Sequence, residues 1–134
     1  MTVSTEEQFF AAWAVDAIAT PFVYGKLRNE KLFFTVNSEC ANSGKPVKIE
    51  LDSDLNIISV GEGSEPMYCV ALMNTAKTKE PSIVDIFWRK SLFFWSEEDA
   101  REYQKKTREL KFYMNLSATS IKSVKQLQSA IFGF

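Results

Sequence analysis

Pro46-Val47-Lys48-Ile49-Glu50-Leu51-Asp52-Ser53-Asp54-Leu55-Asn56-Ile57-Ile58-Ser59-Val60 is the stretch on which the fold turns. Val47, Ile49 and Leu51 alternate with lysine and acid, the period-two pattern of a half-buried strand. Asp52-Ser53-Asp54 supplies turn residues, and Asn56 to Val60 returns as a second run with β propensity, so the pair predicts a hairpin. A tight hairpin can only be antiparallel.

Working outward, Leu32-Phe33-Phe34-Thr35-Val36 predicts a strand on the amino-terminal side, followed by a polar turn from Asn37 to Gly44 that contains Cys40. On the other side Gly61 to Pro66 reads as a loop and Met67 to Met73 as a buried strand holding Cys69. Ser4 and Glu7 have capping-box spacing ahead of an apolar run, which predicts a helix from about Thr5 to Thr20, ended or kinked at Pro21. In such a helix Trp13 and Asp16, three residues apart, share a face. Asn74 to Pro81 is loop-like. Ile83 to Trp95 is densely aromatic, and its second half suits a buried strand. Ser96 with Asp99 then caps a helix to about Leu110. Phe112, Met114 and Leu116 alternate as a last strand, and Ser120 to Ile131 predicts a closing helix with Ile121, Val124 and Leu127 on one face. Strand runs with short turns, bracketed by helices, predict an α+β fold of mainly antiparallel strands with flanking helices. No repeat, linker or low-complexity tract interrupts it, so residues 1–134 read as a single domain.

The bulk composition narrows the function. With 16 basic and 17 acidic residues the net charge is -1, and no basic footprint for nucleic acid is visible. There is no histidine, which removes the commonest general base and transition-metal ligand. Two cysteines are too few for a disulfide framework. The polar, acidic start is unlike a secretory signal, and no apolar run is long enough to span a bilayer, so the expectation is a cytoplasmic protein without a membrane partner. Eleven Phe, three Trp and four Tyr fit a Phe-rich core or an aromatic ligand pocket.

Generic catalytic patterns are missing. The chain has no glycine-rich phosphate loop, CxxC, nucleophile elbow or HExxH, and without histidine no serine–histidine or cysteine–histidine pair. The acidic residues Glu6-Glu7 and Glu97-Glu98-Asp99 suit the starts of helices, where the dipole favours them.

Two local stretches are more specific. Phe9-Phe10-Ala11-Ala12-Trp13-Ala14-Val15-Asp16, followed by Pro21 and Gly25, resembles the helix of alkylmercury (organomercurial) lyases that reads aromatic-Ala-Trp-Cys-Ala-Leu-Asp, then Pro and Gly. Cys40-Ala41-Asn42-Ser43-Gly44-Lys45-Pro46-Val47 is similar to that family's Cys-Ala-x-[ST]-Gly-x-Pro-[VI] turn. In register with these, Val70-Ala71-Leu72 resembles Val-Ser-Leu, and Ile86-Phe87-Trp88-Arg89-Lys90-Ser91-Leu92-Phe93-Phe94-Trp95-Ser96 resembles Ser-Phe-Cys-Cys-His-Val-His-Phe-Phe-Ala-Ser. The resemblance runs from about Phe9 to Leu127 and corresponds to the catalytic core, without an amino-terminal winged-helix portion.

The resemblance implies an alkylmercury-lyase-like fold. It also implies a chemistry, in which two cysteines and an aspartate cleave a carbon–mercury bond by protonolysis. Carried over in register, the aspartate is Asp16, while the two reactive cysteines fall on Trp13 and Trp88 and a neighbouring cysteine on Arg89. Cys40 matches the turn cysteine, a structural position. Indole cannot bind a soft metal as thiolate does, so retained organomercurial cleavage is the outlying alternative.

If the family geometry holds, Trp13, Asp16 and Trp88 converge. Two indoles around a carboxyl make an apolar box that raises its pKa or holds a cation, while Arg89 favours the ionised carboxylate or an anionic ligand group. The leading expectation is a cofactor-free enzyme of isomerase, cyclase or lyase type. In it Asp16 is the general acid or base, and Trp13, Phe87, Trp88 and Arg89 bind a hydrophobic small molecule; no metal or cofactor is called for. The alternatives are a non-catalytic small-molecule binding protein, or tryptophans that merely fill a vacated cavity. A homo-oligomer stays open through the Ile131-Phe132-Gly133-Phe134 tail, which can pack on a second copy or on its own core.

Overall fold

The computed structural model describes residues 1–73, 91–109 and 114–126. Among the described residues two antiparallel sheets and two α-helices of several turns make an α+β fold, as the strand-rich sequence predicts. The first sheet has the order β2-β1-β3-β4-β5, with β1 Thr2–Ser4, β2 Gln8–Phe10, β3 Phe33–Glu39, β4 Pro46–Asp52 and β5 Ile57–Val60. The second has the order β7-β6-β8, with β6 Met67–Met73, β7 Ser91–Phe94 and β8 Met114–Ser120. Helix α1 is Ala14–Arg28 and helix α2 is Glu97–Glu109.

The deciding hairpin forms as read. Phe34 pairs with Leu51, Val36 with Ile49 and Ser38 with Val47, and the apolar members of these pairs are buried on one face. That is the pleat converting a period-two sequence into a one-sided core. β4 and β5 pair across a short loop, with a bulge between Glu50 and Leu51. In the loop the Asp52 carboxylate accepts bonds from the backbone N–H groups of Asp54 and Asn56, both at 2.9 Å, and from the Asn56 amide at 3.0 Å. This three-donor cradle holds Leu55 at φ 65° while its side chain is buried.

The amino-terminal helix predicted from Thr5 to Thr20 is not what the chain forms. Residues 2–10 make a hairpin instead, with Val3 opposite both Phe9 and Val36. Ser4 and Glu7 flank its turn, so their spacing is not a capping box. Val3, fully buried between two strands, recovers more from the sheet than a first helical turn offers. α1 begins only at Ala14 and passes through Pro21, where a break was expected. An interior proline costs roughly 3 kcal/mol, and burial of Phe22 and Gly25 beyond it offsets that loss. The helix closes at Asn29, in the left-handed region at φ 52°, whose N–H reaches the Gly25 and Lys26 carbonyls.

α1 packs on β1 and β3 of the first sheet and on β6 and β7 of the second. The core therefore runs through the helix: Ile18 and Phe22 lie in one cluster with Val36, Ile49, Cys69 and Phe93. α2 starts as read, with the Asp99 N–H donating to Ser96 Oγ at 3.2 Å. Of the closing helix expected over Ser120 to Ile131, the described part opens with a 3-10 turn, Ile121–Ser123, that buries Ile121, and residues 125–126 are helical. Leu127 and the residues after it, including the Ile131–Phe134 tail, lie outside the described residues, as do the loop-like Asn74–Pro81 and the first part of the aromatic stretch.

Candidate functional site

The start of α1 is built from two distant parts of the chain. Trp13 is the N-cap residue, extended at φ -131° and ψ 157°, and its side chain makes no capping bond. Indole carries no acceptor that could do so. The missing acceptor comes from β7: the Val15 N–H donates to Ser91 Oγ at 2.8 Å, across 76 residues, in a buried setting. Ser91 thus serves as a cap in trans and fixes the first turn of α1 against the second sheet.

Asp16 occupies the third position of that turn and is half-buried. The positive end of the helix dipole favours its ionised form. Burial is the stronger influence and lifts the carboxyl above its ordinary value of 3.8. Among the described residues no donor or cation meets the carboxylate; the nearby Thr20 hydroxyl donates instead to the Asp16 backbone carbonyl, at 2.8 Å.

From Asp16 a groove of about 360 Å³ follows the outer face of α1, lined by Phe9, Asp16, Ala19, Thr20, Val23, Tyr24 and Leu27. Its floor is aromatic: the Phe9 and Tyr24 rings meet edge to face at 5.0 Å, and Tyr24 meets Phe34 likewise at 6.1 Å. The Tyr24 hydroxyl donates to Glu7 Oε2 at 3.4 Å, and the Arg28 guanidinium lies 5.7 Å from the Tyr24 ring centre. Leu27, 80% exposed, leaves the groove open to solvent at one end.

Of the residues singled out from the sequence, Asp16 lines this groove. Trp13, placed beside it on a shared helix face, is instead half-buried at the cap and is not among the lining residues. Phe87, Trp88 and Arg89 lie outside the described residues. Phe9, Val23, Tyr24 and Leu27 were missed. The signal for the last three was present, because 16, 20, 23, 24 and 27 follow helical spacing, but ending the helix at Pro21 hid it.

Both cysteines are buried and unpaired by disulfide. Cys69 is fully buried in β6, and its thiol is pushed up to about 12 by burial. Cys40 follows β3 in the turn before β4, its N–H donating to the Lys45 carbonyl at 2.8 Å. Neither lines the groove. Among the described residues no three Cys, Asp or Glu side chains converge as a metal site would need, and no helix is long and apolar enough to cross a membrane.

Among curated proteins no relative matches the chain. Among solved structures it is similar to the mercury-bound form of MerB2, with a TM-score of 0.65 at 13% identity, over 93% of this chain and 53% of that one. The chain thus spans about half the length of that protein, and the likeness is one of fold. The family model for MerB, alkylmercury lyase, matches residues 1–133, and the chain belongs to that family.

Proposed function

We propose that this chain is a divergent alkylmercury-lyase-like protein in which Asp16 acts as a general acid or base on a hydrophobic small molecule. The step is of isomerase, cyclase or lyase type and uses no cofactor. The observation that carries this reading is a half-buried carboxyl, without a partner among the described residues, at the head of an apolar groove. Burial raises its pKa, the direction that suits a carboxyl to proton transfer. Trp13, Phe87, Trp88 and Arg89 are proposed to complete substrate binding. Supporting this, Ser91, close in sequence to Trp88 and Arg89, accepts a hydrogen bond from the first turn of α1.

Retention of the family reaction draws little support from the two cysteines. Protonolysis of a carbon–mercury bond needs an accessible thiolate. Both thiols are buried, away from Asp16's groove, and Cys69 holds its proton far above neutral pH.

A second reading, a non-catalytic binding protein, is favoured by one observation: Asp16 is the sole charged residue among those lining the groove. Tryptophan fluorescence titrated with a metabolite library, then turnover of each hit by wild type and Asp16→Asn, separates the two. The enzyme reading expects turnover to drop by about 10²-fold or more while binding persists. Binding without turnover in wild type leaves the binding protein. Failure of every hydrophobic compound to bind sinks both.

A further inference from the structure

The polar atoms around the Asp16 groove share one property. The Thr20 hydroxyl spends its proton on the Asp16 backbone carbonyl, and the Tyr24 hydroxyl spends its proton on Glu7. Both side chains therefore turn lone pairs, not protons, toward any remaining partner. The third polar side chain of the lining is the Asp16 carboxylate, an acceptor when ionised and without a partner among the described residues. The other lining side chains, Phe9, Ala19, Val23 and Leu27, are apolar. A ligand that satisfies this groove has to bring its own donors at one end and hydrocarbon at the other.

Charge sorts the candidates further. Among the described residues Asp16 and Glu7 are the acids at the groove and its rim, and Arg28 is the base. Arg28 is engaged with the Tyr24 ring and stands twelve residues along the helix from Asp16, roughly 18 Å away. An anionic ligand would meet the Asp16 carboxylate with no compensating cation from the lining. A neutral one would leave a half-buried carboxylate without a counter-charge.

We propose that the groove takes a hydrophobic ammonium ion, a primary or secondary amine whose charged nitrogen pairs with the Asp16 carboxylate while its aryl or short alkyl part lies along Ala19, Val23 and Leu27. The volume, about 360 Å³, sits at the small end of the range for small-molecule sites and suits one ring with a short chain. The inference rests on the groove being the site and names the class of compound that acts there.

Three probes that share a phenylethyl group test it on the full chain at pH 7.5 by calorimetry: 2-phenylethylamine, 2-phenylethanol and 3-phenylpropanoate. The amine is expected to bind about tenfold or more tightly than the alcohol, the margin of a charge-assisted hydrogen bond, and the carboxylate more weakly than both. Added salt should erode the amine's advantage and leave the alcohol unchanged. In Asp16→Asn, with folding checked by thermal melting, amine and alcohol should bind alike. In Leu27→Ala, an exposed position, both should weaken together. Equal binding of amine and alcohol to wild type overturns the amine class while leaving the groove as the site, and so does a preference that survives in Asp16→Asn. Absence of binding by all three probes overturns the inference and the groove together.

Discussion

Ser91 Oγ accepts the Val15 N–H at 2.8 Å, and through that bond a strand of the second sheet completes the first turn of the helix that carries Asp16. Ser91 is fully buried, so Ser91→Ala strands a donor that water cannot reach. The expected cost is about 1–3 kcal/mol, read as a lower denaturation midpoint with an unchanged slope. A midpoint equal to wild type would show that the bond does not hold the helix.

Gly25→Ala should destabilise, against the usual trend. In a helix interior alanine normally gains up to about 1 kcal/mol over glycine. Here a Cβ would collide with Ser53 Cβ and crowd Ser53 Oγ, which itself accepts from the Leu32 N–H at 3.1 Å. Overpacking of this kind costs about 1–3 kcal/mol, and thermal melting of the variant should show a lower Tm.

Asp52 makes the fold sensitive to acid. Burial pulls its pKa upward, but bonds from Asn56 and the Asp54 N–H, with Lys31 at 3.6 Å, outweigh burial and hold it below 3.8. A depressed folded pKa means stability that is present above the unfolded value and lost as pH falls through the folded one. Wild type should therefore lose stability below about pH 4. Asp52→Asn should be less stable by about 1–3 kcal/mol at neutral pH, with the gap narrowing in acid.

Asp16 works in the opposite sense. Its folded pKa is raised by burial, so the stability it lends is fully present below 3.8 and is lost as pH rises through the folded value. Asp16→Asn should accordingly melt higher than wild type at pH 7.5, with the difference closing as pH falls toward 3, read by thermal melting.

The cysteines give a chemical check. Cys40 and Cys69 are both buried, so neither should react with a thiol-specific disulfide reagent in the native state, and both should react after unfolding. Incubation with phenylmercury and excess thiol should release no benzene. Benzene release dependent on Asp16 would restore the family reaction and overturn the proposed one.

What was legible in the sequence was local. The β4–β5 hairpin declares itself because Val47, Ile49 and Leu51 alternate with polar residues, and α2 declares its start because Ser96 and Asp99 lie three apart. The start of α1 is written nowhere near itself: Trp13 offers no cap, and Ser91 stands 76 residues on. Ser4 and Glu7 imitate a capping box, yet the pairing of Val3 with Val36, more than thirty residues away, decides that segment. Asp16, singled out through its family motif, lines the groove. Val23, Tyr24 and Leu27 were not legible, because Pro21 suggests an end that burial of Phe22 and Gly25 overrides.

The long-range cap also sets an order of events during synthesis. All five strands of the first sheet come from residues up to Val60, so that sheet can pair while the rest of the chain is still being made. The helix lying on it keeps an open first turn until Ser91 arrives, about 2–6 s later at usual elongation rates. The helix turn that carries Asp16 at the head of the groove is thus tied to a residue from the opposite half of the chain.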